Sequence, residues 1–123
     1  FFFFEFLSTH RIIEEYNIWK NLLETQLKGK VSTPDDGVKN DWWNVNWIPF
    51  TSDGCGDHYC LDLSPTQTGT KGQVITLWYE SDEREIVSQS FSLWFIEYIE
   101  QLYSGELVYS QEYNSIVHKD ELE

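Results

Sequence analysis

The residues best equipped for chemistry lie in one stretch, "DWWNVNWIPFTSDGCGDHYCLDL", from Asp41 to Leu63. Cys55, His58 and Cys60 stand close together there, with Asp53 and Asp57 beside them. Such a set invites zinc. A structural zinc site needs four ligands, typically one C-x2-4-C pair and a second pair elsewhere. The two cysteines are five positions apart, no second pair follows, and His10 and His118 stand alone. Calcium fits less well, because "DGCGD" lacks the D-x-D-x-D-G run and the closing glutamate of a calcium loop. Asp57 with Asp62, or Glu80 with Glu97, could act as an acid–base pair. With 21 acidic residues in 123, however, some pair always looks suitable. No nucleophile–base pair and no G-x-S-x-G turn is visible. "GTKG" at 69–72 matches the GxxG loop of an RNA-binding KH module, but a strand follows it and the overall charge opposes RNA. Its ordinary reading is two turn glycines with positive φ.

Aromatic residues open this stretch. Trp42, Trp43 and Trp47 cluster just before and within a short strand. Tryptophan is seldom fully buried and is enriched at binding hot spots, so these three are either core or the wall of a pocket.

The elements that must hold these residues follow from hydrophobic periodicity. Phe1–Leu7 reads as a buried strand. Ser8 or Thr9 caps a helix whose apolar positions Ile12, Tyr16, Trp19 and Leu23 fall at helical spacing, with Gly29 as its stop and Lys28 and Lys30 at the negative end of its dipole. "VSTPDDGVKN" is turn chemistry. "VNWIPF" is a short strand that Pro49 assigns to an edge or a bulge. "TSDGCGD" is a glycine-rich turn. "HYCLDL" alternates, placing Tyr59, Leu61 and Leu63 on one face and His58, Cys60 and Asp62 on the other. "GQVITLWYE" is the clearest strand. "SDEREIVSQS" links it to a second helix capped by Ser90 and ended by Gly105, in which Phe91, Trp94, Phe95, Tyr98, Ile99 and Leu102 form one apolar stripe expected to be core. The tail from Glu106 has too few periodic apolar residues for an assignment. Strand, helix, several strands, helix is the order of an α+β fold, with a mixed, largely antiparallel central sheet and flanking helices.

The length fits one domain over 1–123, and an aromatic content of 17% argues for a folded one. Eight Lys and Arg stand against 21 Asp and Glu, a net charge of −13. That sign repels phosphate backbones and anionic membranes and favours a basic protein partner. Two cysteines give no disulfide framework, so free thiols in a reducing cytoplasm are expected. "KDEL" at 119–122 is followed by Glu123 and so does not form the terminal retention signal. The apolar start has no basic flank, is too short to span a bilayer and contains no Met; it is expected to be an interior strand with residues before it.

The ordered string carries a resemblance. "WIPF" at 47–50 is followed by an acidic turn ending in "GD" at 56–57, then by "YCLDL" at 59–63, Pro65, "GTKGQVI" at 69–75, the acidic "ESDERE" and "SFSLWFIEYI". Together with the upstream "FEFLSTHRIIEEYNIWKNLL", this order resembles the SUKH superfamily, the Smi/Knr-type domain of fungal cell-wall regulators and bacterial toxin immunity proteins. The likeness covers about residues 5–104. Two departures stand out. The earlier helical segment usual in that family, with its L-P-x-x-Y-type pattern and Asn-Gly turn, is absent, so the domain is expected to lack it. Cys55 also interrupts a turn that is commonly richer in glycine.

The resemblance implies a mixed α+β fold with a cleft beside the sheet, and binding rather than catalysis. Charge and resemblance then converge on an immunity-type protein that blocks a basic partner, a polymorphic toxin nuclease. Asp53, Asp57 and Asp62 would meet its Lys and Arg, and Trp42, Trp43 and Trp47 would serve as anchors. The alternatives are a Smi/Knr-like regulatory interaction domain and a small metal-dependent hydrolase using the 53–62 loop. No enzyme activity, cofactor, metal, direct nucleic-acid contact or membrane contact is expected.

Overall fold

The computed structural model describes residues 4–122. The expected first strand is therefore seen only in part, and not as a buried one: Phe1–Phe3 lie outside the described residues, and β1 is Glu5–Phe6, both exposed. Ser8 then caps α1 (Thr9–Glu24), its Oγ accepting from the Arg11 N–H at 3.2 Å. The helix ends before the expected Gly29. Thr25 turns out of helical geometry, and its hydroxyl donates back to the Asn21 carbonyl at 2.8 Å. The basic residues therefore miss the last helical turn. Lys30 instead lies 3.9 Å above the ring of Trp42.

Short strands follow: β2 (Thr33–Pro34), β3 (Trp47–Pro49), β4 (Thr51–Ser52), β5 (His58–Asp62), β6 (Gln73–Leu77), β7 (Glu83–Arg84) and β8 (Ile86–Ser88). The central sheet runs β3-β5-β6-β8 and is antiparallel throughout. β3 is an edge, as Pro49 requires, since proline cannot donate to a ladder. β1 pairs with β4 antiparallel, and β2 with β7 in parallel. Three stretches assigned to turns and a linker thus contain strands: β2, β4, and β7 with β8. All are too short to show an alternating pattern in the sequence, and β2 and β7 pair with each other across 50 residues. α2 (Phe91–Ser104) is capped by Ser90, whose Oγ accepts from the Leu93 N–H at 3.1 Å. The unassigned tail forms a hairpin, β9 (Leu107–Ser110) with β10 (Ser115–His118), and then a 3-10 turn at Lys119–Glu121. The architecture is α+β, mixed and largely antiparallel.

The alternation of β5 and β6 places a helix layer on each face of the sheet. Cys60, Ile75 and Leu77 pack with Trp19 of α1 and with Trp42, Trp43 and Trp47. Val74, Tyr59 and Leu61 pack with Phe50 and with Trp94 of α2. The face of β5 that looks polar in the sequence is the deeper one, because His58, Cys60 and Asp62 are all fully buried. Hydrogen bonds make this possible. His58 Nδ1 lies 2.7 Å from the Thr51 carbonyl. Asp62 accepts from Gln73 Nε2 at 2.9 Å and from the Ser64 N–H at 2.9 Å. The α2 stripe departs from expectation in the other direction. Trp94 is buried, but Phe91, Phe95 and Ile99 remain exposed.

Loops are closed onto this core by close backbone approach. A Cβ on Gly69 would lie 2.2 Å from the Gly37 carbonyl oxygen. The glycine at 69 is thus needed for space, whereas Gly72 has the positive φ (89°) that the turn reading anticipated.

Arg84 ties the loops together. It is fully buried and lies 4.7 Å from the Trp42 ring centre. Its Nε and Nη2 donate to the Trp42 carbonyl at 3.2 and 2.8 Å, and Nη1 donates to the carbonyls of Ser81 and Glu83, each at 2.7 Å. Burial pulls its pKa down to about 10, still far above neutrality, so the group stays charged. Arg84→Ala would leave these carbonyls without their charged donor, and chemical denaturation should show a loss of about 3 kcal/mol or more.

Candidate functional site

The acidic turn between β4 and β5 is built around one side chain. Asp53 Oδ1 accepts from the backbone N–H groups of Cys55 and Asp57, at 2.7 and 3.1 Å. This knot is pinned to the end of β6. Asp57 Oδ1 accepts from the Tyr79 N–H at 2.8 Å. Gly56, at φ 99°, lies so close to the Tyr79 side chain that an added Cβ would sit 3.2 Å from it. Only glycine combines that φ with that clearance.

Between the turn and the chain leaving β6 lies an open hollow of about 550 Å³, lined by Asp53, Cys55, Asp57, Trp78, Tyr79 and Glu80, with Ser81 at its edge. Three carboxylates and two aromatic rings therefore share one concave surface. Asp57 has its pKa raised, first by partial burial and then by the neighbouring Asp53, against the opposing hydrogen bond from Tyr79. Carboxylates crowded together beside aromatic faces attract a cation: the charges act through space, and the rings add their quadrupoles.

Of the six residues anticipated as partner-binding, the structure brings only Asp53 and Asp57 to this hollow. Asp62 sits at the opposite end of β5, fully buried and bonded to Gln73. Trp42, Trp43 and Trp47 are core, 6%, 1% and 0% exposed. Burying them under α1 seals one face of the sheet, and as placed they offer no area to a partner. The aromatic wall comes instead from Trp78 and Tyr79. In the sequence these two looked like the continuation of a strand, but β6 ends at Leu77. The available signal was the abrupt passage from "VITL" to "WYESDE", where aromatic residues run directly into acids.

The other chemical readings come apart in the structure. Cys55 is exposed on the turn, whereas Cys60 is buried and burial pushes its thiol pKa up. Among the described residues no group of His, Cys, Asp and Glu is arranged to hold a metal. Asp57 and Asp62 do not face a common space, and Glu80 and Glu97 line different hollows. Among the described residues no helix is long and apolar enough to cross a membrane.

Comparison with known proteins identifies the family. The model of the SMI1 / KNR4 family (SUKH-1) matches residues 1–97, most of the chain, and the chain belongs to that family. It is similar to the cell wall biosynthesis/cell cycle regulator smi1 of Schizosaccharomyces pombe, 25% identical over 89% of this chain and 24% of that protein. It is similar to the cell wall assembly regulator SMI1 of Saccharomyces cerevisiae, 26% identical over 60% of this chain and 15% of that protein. The glucan synthesis regulatory protein of Neurospora crassa is 25% identical over 79% of this chain and 18% of that protein. The chain thus spans a quarter or less of the length of these relatives, which are named as regulators and not as enzymes.

Two substitutions separate the core from the hollow. Trp47→Ala should cost about 3–5 kcal/mol in urea denaturation, as for a large core residue. Asp57→Asn keeps an acceptor for the Tyr79 N–H and removes a crowded charge. A carboxyl whose pKa is raised by folding favours the fold when protonated, and that contribution is lost as pH rises from 3.8 through the raised value. The stability of Asp57→Asn relative to the parent should therefore increase over that pH window and stay level above it, as read from denaturation curves at a series of pH values.

Proposed function

We propose that this member of the SMI1/KNR4 family is a regulatory interaction domain that takes a basic segment of a partner protein into the hollow between the acidic turn and Trp78–Tyr79. The reading draws its biological setting from relatives named as cell-wall and glucan-synthesis regulators. Its chemistry rests on one observation, that Asp53, Asp57 and Glu80 share a concave surface with Trp78 and Tyr79. A lysine or arginine entering there would meet carboxylates at its charged end and aromatic faces along its stem. The net charge of −13 would steer a basic partner from a distance, raising its association rate.

A toxin-immunity role is the second reading. The acidity that suits a basic signalling partner would equally cover the phosphate-binding cleft of a nuclease. The named relatives favour regulation. Asp62 and the three core tryptophans have no part in either reading as surface contacts.

The test uses a lysine- and arginine-rich peptide and the charge-reversed double variant Asp53→Lys/Asp57→Lys. The variant should bind the peptide roughly tenfold or more weakly, through slower association and a shallower salt dependence in biolayer interferometry. Equal kinetics for variant and parent would remove the hollow from the interface. Affinity capture from a fungal extract then separates the two settings. A nuclease as the main captured species would displace the regulatory reading in favour of immunity.

A further inference from the structure

α2 exposes more apolar surface than a helix at the edge of a folded domain needs to. Of its sequence, "FSLWFIEYIEQLYS", only Trp94 is buried. The opposite side carries Ile96, Ile99 and Tyr103, with Leu93 and Phe95 to either side of Trp94, all exposed, Ile96 at 52% and Tyr103 at 94%. Ile96, Ile99 and Tyr103 repeat at i, i+3 and i+7, so they form a straight seam along the helix. Single exposed apolar residues are ordinary, but a contiguous seam of this length marks a place where another surface docks.

The charge around the seam says what that surface is. α2 contains Glu97 and Glu100 and no Lys or Arg. Beside the seam lies a shallow hollow lined by Glu97, Glu100, Gln101, Ser104 and Glu106. A second copy of this chain would bring the same carboxylates and the same net charge of −13 against them, so self-association is opposed. An anionic membrane is opposed for the same reason. A helix with an apolar face and a Lys/Arg flank satisfies both features: its apolar face covers the isoleucines, and its cations meet the glutamates. α2 is about 21 Å long, enough to match three to four turns of such a partner.

We propose that the outward face of α2 is a docking surface for a basic amphipathic helix of a partner protein, held by Ile96, Ile99 and Tyr103 and flanked by Glu97 and Glu100. The seam shares no residue with the acidic hollow.

The experiment titrates the 123-residue chain with a synthetic amphipathic peptide of roughly five helical turns, leucine on one face and lysine and arginine on its flanks, followed by calorimetry and by peptide circular dichroism. The parent should bind it and raise its helicity. Ile96→Ser/Ile99→Ser, at exposed positions that leave the core intact, should weaken binding by about tenfold or more with an unchanged thermal transition. Glu97→Lys/Glu100→Lys should weaken it similarly. The Asp53→Lys/Asp57→Lys variant should bind as the parent does, which separates this surface from the hollow. Absence of binding by the parent, or binding indifferent to the isoleucine substitutions, overturns the proposal. A concentration-dependent dimer in sedimentation that Ile96→Ser/Ile99→Ser abolishes would also overturn it, since the occupant would then be a second copy.

Discussion

A buried guanidinium is costly unless every direction it points in offers an acceptor. Arg84 meets that condition with backbone alone, through the carbonyls of Trp42, Ser81 and Glu83. Those three carbonyls belong to the loop ahead of β3, the turn between β6 and β7, and the first residue of the two-residue strand β7, segments with little regular structure of their own. The arginine thereby fixes segments far apart in sequence, and both it and Lys30 lie over the Trp42 ring, 4.7 and 3.9 Å from its centre. Both the parallel pairing of β2 with β7 and the position of the chain leaving β6 depend on this arrangement. The second of these carries Trp78, Tyr79 and Glu80 to the acidic turn.

The sheet shows the same economy with polar groups. His58, Cys60 and Asp62 face inward, and the first and last are bonded to the Thr51 carbonyl and to Gln73 and Ser64. Beyond Cys60 on that side lies a layer of indoles supplied by α1 and by the "DWWNVNW" segment. Since these tryptophans complete the core, interaction chemistry is displaced to strand ends and turns, where backbone geometry can hold charged groups at close quarters. The Asp53 knot and the bond that Asp57 accepts from the Tyr79 N–H are of that kind, and the pKa of Asp57 is raised there, first by partial burial and then by the neighbouring Asp53.

Two surfaces of different character result. One is concave, acidic and aromatic, and suits the end of a cationic side chain. The other is a ridge of isoleucine and tyrosine bordered by glutamates, and suits the face of a helix. On the proposals above, both would take a positively charged partner, for which the net charge of −13 has the matching sign.

Local patterns were legible in the sequence wherever a residue's role depends on its near neighbours. Ser8 and Ser90 as caps, the stripe from Ile12 to Leu23, Pro49 at a sheet edge, the alternation of β5 and the family likeness all follow from spacing and residue type, as does the gathering of Asp53 and Asp57 in one turn. Tertiary structure alone decided which face of an alternating strand is deep, because burial of Asp62 depends on Gln73, eleven residues away, meeting it across the sheet. It also decided that Trp42, Trp43 and Trp47 are core while Trp78 and Tyr79 line the hollow. Indoles and phenols have the same chemistry in either place, and only the packing of α1 on one face and the end of β6 at Leu77 distinguish them. The α2 stripe makes the same point in reverse: periodicity shows that a helix has an apolar face, but whether that face is covered depends on the elements around it.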